Sequence, residues 1–153
     1  MAKKTSNEKL NDSKDFPKII EVKDPKAIKI YGGDRMLIAP PLAYDEIMKK
    51  VPFGKVIISS NIREYLAEKH GADYTCPLTA GIFINIVAKA SFERDSDKTP
   101  YWRTLKKDGE LNEKYPEGIE GQKMHLEMEG HDIVRKGKRY FVAGYTEKMF
   151  DIK

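Results

Sequence analysis

Apolar residues recur at helical spacing three times between residues 41 and 93, which predicts three consecutive helices. The first ends before Pro52, because proline blocks the continuation of a helix. The second ends near Gly71, because glycine suits the position that follows a helix. The third begins at Pro77, since a first helical turn tolerates proline. This third segment is apolar around most of its circumference and is the best candidate for a buried helix.

One stripe of the third helix is small and mildly polar. At 100° per residue, Gly81, Asn85 and Lys89 fall on one face, while larger apolar residues cover the rest. Such a face is either the solvent side of a core helix or a surface that lets the helix backbone approach the wall of a nucleic-acid groove. In the second case, Asn85 and Lys89 are available to phosphate or sugar.

Short β elements flank these helices. Alternating β-branched residues predict strands at residues 19–22, 28–30 and 36–38, and a hairpin over residues 132–142. A polar helix is expected over residues 117–129. The predicted fold class is therefore α+β, mainly α with small β elements. Helices followed by a hairpin are the order of a winged helix-turn-helix.

The length of 153 residues favours one domain with a single core. Residues 1–15 are almost entirely polar and are expected to form a disordered tail. We expect an N-terminal strand extension over residues 16–40, the winged-helix domain over residues 41–145, and a C-terminal tail over residues 146–153.

The net charge of +4, from 28 basic and 24 acidic residues, permits a polyanionic partner without requiring one. Four of the five residues at the tip of the predicted hairpin are basic: Arg135, Lys136, Lys138 and Arg139. Two interpretations stay open for this tip. It is either a solvated turn whose charges prevent aggregation, or a contact with phosphates.

Cysteine and histidine usage excludes several kinds of site. Cys76 is the only cysteine, so the chain forms no internal disulfide and no multi-cysteine metal site. The three histidines show no metal-ligand spacing, and we expect neither a metal nor a cofactor. No apolar stretch is long enough for a membrane span or for the core of a signal peptide. We therefore expect no membrane partner and a cytoplasmic location.

The only tryptophan lies in the run Thr99-Pro100-Tyr101-Trp102-Arg103. An indole, a phenol and a guanidinium side by side after a proline suit a recognition loop. The same composition suits an aromatic plug that closes a small core. Composition alone does not separate these two interpretations.

Four short motifs follow one another between residues 41 and 131. They are VPFGKV at residues 51–56, SNI at residues 60–62, PYWRTL with a following DG at residues 100–109, and LEMEGH at residues 126–131. Each motif alone is weak, but four in the right order are much more specific. Together they resemble the C-terminal DNA-binding domain of the O6-alkylguanine-DNA alkyltransferase family.

Members of that family flip an alkylated guanine into a pocket and transfer its alkyl group to the cysteine of a Pro-Cys-His-Arg motif. Pro100 and Arg103 match this motif, but Tyr101 takes the place of the cysteine and Trp102 that of the histidine. A phenol with a pKa of about 10 does not replace a thiolate, and an indole relays no proton. Glu129 matches the family's glutamate, but it has no Cys-His pair to serve.

The resemblance therefore implies the branch of alkyltransferase-like proteins, which lack the nucleophile and bind alkylated DNA. It implies a base pocket of Tyr101, Trp102, Arg103 and Glu129, and a helix that enters the minor groove. The implied DNA-binding residues are Ser59, Ser60, Asn61, Thr79, Gly81, Asn85 and Lys89. The expected partners are double-stranded DNA, including alkylated DNA, and other repair proteins, and we expect a monomer.

Two departures from the family affect base flipping. The family's recognition helix has an arginine that fills the gap left by the flipped base, and residues 79–82 contain none. The family's tyrosine that rotates the target phosphate is replaced by Ser59. Flipping a paired base is harder without these groups, because unstacking costs a few kcal/mol.

Three functions compete at this stage. The first is a non-catalytic DNA-binding protein that senses alkylated bases for DNA repair. The second is a protein or small-ligand binding module on the same fold that no longer binds DNA specifically, which the apolar run Ile82-Phe83-Ile84 favours. The third is an enzyme of another kind, with Glu129 as general base beside Tyr101.

Overall fold

The computed structural model describes residues 4–13 and 15–153. Its elements are α1 (Ser6–Leu10), β1 (Lys18–Glu21), α2 (Pro25–Tyr31), β2 (Arg35–Ile38), α3 (Pro41–Lys50), β3 (Ile57–Ile58), α4 (Ser59–His70), β4 (Tyr74–Thr75), α5 (Pro77–Glu93), β5 (Thr104–Leu105), α6 (Gly118–Met128), β6 (Ile133–Lys136) and β7 (Arg139–Val142). Helices predominate and the sheets are small, which confirms the predicted α+β class. No helix in this described part of the chain has both the length and the apolarity to span a membrane.

The three central helices end where their sequence signals predict, but α4 begins at Ser59 with Ile58 as N-cap, so a capping box of Asn61 and Glu64, which the sequence also suggests, does not form. Gly71 ends α4 in the left-handed region at φ +68°, and its N–H donates to the last carbonyls of the helix. Pro77 is the first residue of α5, which runs for 17 residues. Helices α3, α4 and α5 enclose the larger hydrophobic cluster, in which Tyr44, Ile62 and Val87 are fully buried.

Three small sheets connect the helices. Strand β2 pairs antiparallel with β1 and parallel with β4, and β6 pairs with β7 as the predicted hairpin. The parallel pair β3 and β5 positions the candidate site, because Ile57 lies opposite Thr104 and Ile58 opposite Leu105. This pairing places the start of α4 beside the segment that follows the aromatic run.

The predicted strand at residues 28–30 is wrong, because these residues lie in α2. The side chain of Asp24 accepts a hydrogen bond from the backbone N–H of Lys26 at 3.1 Å, and Pro25 occupies the first turn. Gly32 ends the helix at φ +80°. These cap signals outweigh the alternation of apolar residues, which is too short to specify a strand.

The predicted disorder of the N-terminal tail is wrong for residues 6–10, which form α1, while residues 1–3 and 14 lie outside the described part. Thr5 and Glu8 cap this helix reciprocally. Leu10 is 4% exposed and belongs to the larger core cluster. Asn7 ties α1 to α5, since its Nδ2 donates to the carbonyl of Ala90 at 3.0 Å.

The C-terminal residues also contact the core. The backbone N–H of Phe150 donates to the carbonyl of Val56 at 2.7 Å, and the phenyl ring packs against the larger cluster. Residues from all four predicted segments therefore share one interior, and the segment boundaries themselves stay predictions.

We predict that Leu10→Ala lowers the free energy of unfolding by about 2–4 kcal/mol, because it removes a buried side chain and leaves a cavity. Urea denaturation followed by circular dichroism measures this change. The control is Ile30→Ala, since Ile30 is 73% exposed and its removal should change stability by less than about 0.5 kcal/mol. Equal stability of the two variants would show that α1 does not pack on the core.

Candidate functional site

Glu129 lies at the centre of a hydrogen-bond network between three segments. Its carboxylate accepts from the indole N–H of Trp102 at 2.8 Å, from Nε and Nη2 of Arg103 at 2.9 and 2.8 Å, and from the backbone N–H of Gly54 at 3.3 Å. Arg103 also donates from Nη1 to the carbonyl of Val51 at 2.8 Å. The network ties the loop before β3 and the aromatic run to the end of α6.

The network determines the protonation of Glu129. Burial raises the pKa of this carboxyl, but hydrogen bonds from Arg103, Trp102 and Gly54 outweigh burial, so the pKa lies below its ordinary value. A carboxylate with a lowered pKa is a weak base, and both of its oxygens already accept hydrogen bonds. These properties argue against a role of Glu129 as general base.

The aromatic residues of the predicted base pocket are packed rather than open. Tyr101 is 4% exposed, and its ring meets Trp102 and Tyr115 edge to face at 5.4 and 5.3 Å. Trp102 stacks on His125 with the ring centroids 4.0 Å apart. The four residues predicted for this pocket therefore lie close together as an aromatic plug with an ion pair. This geometry offers no open face of Tyr101 to a base.

A cavity of about 290 Å³ lies between α5 and β5. Its volume is at the lower end of the range of small-ligand sites, which is about 300–1,000 Å³. Ser59, Gly81 and Asn85 line it, and all three are among the residues predicted to bind DNA. The structure thus brings together three of these seven residues around one cavity.

The other four predicted DNA-binding residues lie outside this lining. Thr79 and Lys89 belong to α5, and Lys89 is exposed. Ser60 faces a separate groove between α2 and α4, and Asn61 borders a pocket against the C-terminal residues 149–153. Their assignment to DNA stays a prediction.

The wall of the cavity opposite α5 provides polar groups that the sequence did not indicate. Thr104 is 1% exposed, and its hydroxyl has no hydrogen-bond partner among the described residues. Asn112 donates from Nδ2 to Oδ1 of Asn85 at 3.0 Å, which links the two walls. An unpaired buried hydroxyl costs about 1–3 kcal/mol, so Thr104 is a polar group that the fold leaves unused.

Local sequence signals identify Thr104 only as the residue after the aromatic run. Thr104 reaches the cavity because β5 pairs with β3. In this pair, Thr104 lies opposite Ile57, which is 47 positions earlier in the sequence. Asn112 is held by its backbone N–H, which donates to Oε1 of Gln122 at 2.7 Å. Within residues 4–13 and 15–153, no group of three or more His, Cys, Asp or Glu side chains could hold a metal ion.

Comparisons with known proteins give two similar solved structures. No protein-family model and no curated protein matches the chain. The chain is similar to S. pombe Atl1 in complex with damaged DNA containing O6-carboxymethylguanine, with 22% sequence identity, a TM-score of 0.48, and coverage of 71% of this chain and 91% of that chain. It is also similar to S. pombe ATL in complex with DNA, with 18% identity, a TM-score of 0.49, and coverage of 72% and 94%. Atl1 is an alkyltransferase-like protein, the class that the four sequence motifs resemble.

We predict that Glu129→Gln lowers the free energy of unfolding at pH 7 by on the order of 3 kcal/mol, because it leaves the charge of Arg103 uncompensated. Since the pKa of Glu129 is lower in the folded than in the unfolded protein, the wild type loses this advantage as the pH falls below the ordinary value of 4.5 and through the lowered pKa. Denaturation at a series of pH values measures the difference.

The matched control for this prediction is Glu127→Gln on the same helix. Glu127 is exposed and forms no ion pair with any other described residue, so its substitution should leave stability nearly unchanged at every pH. A difference between wild type and Glu129→Gln that does not depend on pH would contradict the role given to the ion pair.

Proposed function

We propose that this chain is a non-catalytic, alkyltransferase-like protein that binds double-stranded DNA and holds an alkylated base in the cavity between α5 and β5. One observation supports this most strongly. Ser59, Gly81 and Asn85, assigned to DNA from the sequence alone, line the same cavity as Thr104, whose buried hydroxyl has no partner among the described residues. The cavity thus combines a suitable size with a lining residue whose hydroxyl is unused.

The cavity lining contains no cysteine, the residue that accepts the alkyl group in the resembled family. Cys76 precedes α5 and is not part of the cavity lining. The phenol of Tyr101 is buried, and burial together with the nearby charge of Glu117 raises its pKa, so it stays protonated near neutral pH. A base that enters the cavity is therefore bound and released unchanged, which is the chemistry of a sensor.

Cations are placed to contact phosphates around the cavity. Lys106 and Lys114 belong to its lining together with Glu113, and Lys106 also pairs with Glu110 at 3.8 Å. The basic hairpin is attached next to them, because the backbone N–H of Leu111 donates to the carbonyl of Tyr140 at 2.9 Å. Positive charges on this side of the cavity favour a polyanion over a neutral ligand.

The direct test is fluorescence anisotropy with two duplexes that differ only in a single O6-methylguanine, measured at two salt concentrations. We expect tighter binding to the modified duplex and a preference that persists at the higher salt, because the base contact releases no counterions. Equal or absent binding would overturn the proposal and would favour the second candidate, a module that binds a protein or small ligand.

We predict that Thr104→Val lowers the affinity for the modified duplex by about 5- to 10-fold, the range of one lost hydrogen bond. Stability should stay equal or rise, since the substitution removes a buried hydroxyl that has no partner among the described residues.

The control is Thr75→Val, because Thr75 is 2% exposed but lies outside the cavity and donates to the carbonyl of Arg63. That variant should lose stability and keep its preference for the modified duplex. An unchanged preference in Thr104→Val would contradict the assignment of the cavity.

A further inference from the structure

The hairpin of β6 and β7 carries four cations at its tip, residues 135–139. Gly137 and Lys138 join the two strands, and Gly137 adopts φ +64°, a conformation that glycine tolerates without strain. In the ladder, Lys136 lies directly opposite Arg139. Like charges in this position destabilise an antiparallel pair. The charges of the tip therefore oppose the pairing of the strands that carry them.

Acidic side chains compensate the tip only at Arg139. Both carboxylate oxygens of Glu110 accept hydrogen bonds from its guanidinium, at 2.8 and 3.1 Å. Lys106 lies 3.8 Å from the same carboxylate, so two cations share this anion. Asp108 attracts Arg139 through space without forming an ion pair with it. Asp132 precedes β6 and lies at the end of the hairpin away from the tip.

Three exposed cations of the tip form no ion pair with any residue that the structure describes: Arg135, Lys136 and Lys138. Contacts hold two of them in place. Nε of Arg135 donates to the carbonyl of Gly137 at 2.8 Å, and Nζ of Lys136 lies 5.4 Å from the ring centroid of Phe141. Adjacent residues of a strand point to opposite faces, so these two charges diverge. Diverging charges match an extended polyanion better than one small anion.

The number of cations exceeds what protection against edge-to-edge aggregation requires. The edge of β7 is covered, because the backbone N–H of Leu111 donates to the carbonyl of Tyr140 at 2.9 Å and Glu110 forms a β-bridge with Phe141. In the described part of the chain, β6 pairs only with β7, so its other edge is free. Charged side chains on β6 protect that edge. Lys138 is outside β6, which leaves its charge without this purpose.

The hairpin lies beside the cavity. Glu110 and Leu111, which contact β7, belong to the same segment as residues 104–106 and 112–115, which line the cavity. A duplex that places a base in the cavity extends past this segment. Its phosphates are the polyanion that the tip would meet first.

We infer that Arg135, Lys136 and Lys138 contact phosphates of the duplex beside the cavity, and that the hairpin tip supplies affinity that does not depend on the lesion. This inference rests on the proposed binding of double-stranded DNA, but not on the preference for an alkylated base. Phosphate contacts position a protein without distinguishing one base from another. The tip then determines the salt dependence of binding, and the cavity determines the preference.

The test compares the wild type with the double variant Lys136→Gln/Lys138→Gln. Affinities for the duplexes with and without O6-methylguanine are measured over a series of salt concentrations. The variant should bind both duplexes about 10-fold more weakly, and the slope of log affinity against log salt concentration should decrease in magnitude by about 2. The ratio of the two affinities should stay within about twofold of the wild-type ratio, because the cavity is unchanged.

The matched control is Lys26→Gln/Lys29→Gln, which removes the same net charge from α2. Both lysines are exposed and form no ion pair with a described residue. Salt slope and affinities should stay nearly unchanged, since no phosphate contact is assigned to α2. The variant Lys136→Arg/Lys138→Arg keeps the charge of the tip and should bind like the wild type. The melting temperature of Lys136→Gln/Lys138→Gln should equal or exceed that of the wild type, because a like-charge pair is removed.

An unchanged salt slope in Lys136→Gln/Lys138→Gln would overturn the inference. Aggregation of this variant in light scattering, with unchanged affinity for DNA, would also overturn it and show that the charges protect the hairpin. Vesicles that contain phosphatidylserine are the second probe. Binding of the wild type to these vesicles but not to the duplex would overturn the inference and assign the tip to a membrane surface.

The outcomes also separate this inference from the proposed function. If the wild type binds both duplexes equally and the glutamine variant weakens both, the preference for the lesion fails and the hairpin contact stands. If the wild type prefers the modified duplex and the glutamine variant has the wild-type salt slope, the hairpin contact fails and the proposed function stands.

Discussion

The ion pair between Arg103 and Glu129 fixes the geometry on which the candidate site depends. Both side chains are largely excluded from solvent, at 13% and 5% exposure, and their nitrogen and oxygen atoms are 2.8 Å apart. An ion pair at this depth is retained only if further hydrogen bonds satisfy the remaining donors and acceptors. Trp102, Gly54 and the carbonyl of Val51 provide them. One carboxylate thereby joins three segments that are far apart in the sequence.

The ion pair includes Arg103 of the motif at residues 100–105, and it gives this motif a structural role. Where the resembled family has its reactive cysteine and histidine, this chain has an aromatic plug, with Tyr101 buried and Trp102 stacked on His125. The plug holds the following strand β5 against β3, and this pairing brings Thr104 into the wall of the cavity. The motif thus has a structural role in this chain, because its side chains join segments that are far apart in the sequence.

The sequence predicted those parts of the fold that local signals determine. Helices α3, α4 and α5 follow from apolar spacing with proline and glycine at the ends, and the hairpin from its β-branched strands. The sequence analysis missed α1, because the polar composition of the tail favours disorder and the helix is stabilised by packing of Leu10 rather than by local propensity. The polar wall of the cavity depends on long-range strand pairing, which no local pattern reveals.

Amide chemical-shift mapping by NMR tests the central claim most directly, with the protein bound in turn to a duplex containing one O6-methylguanine and to its unmodified counterpart. The account predicts that the differences between the two spectra are concentrated at the amides around the cavity, above all those of Asn85, Thr104 and Asn112. Differences centred on Trp102 and Glu129 would place the base at the aromatic plug and would contradict the account, as would two identical spectra.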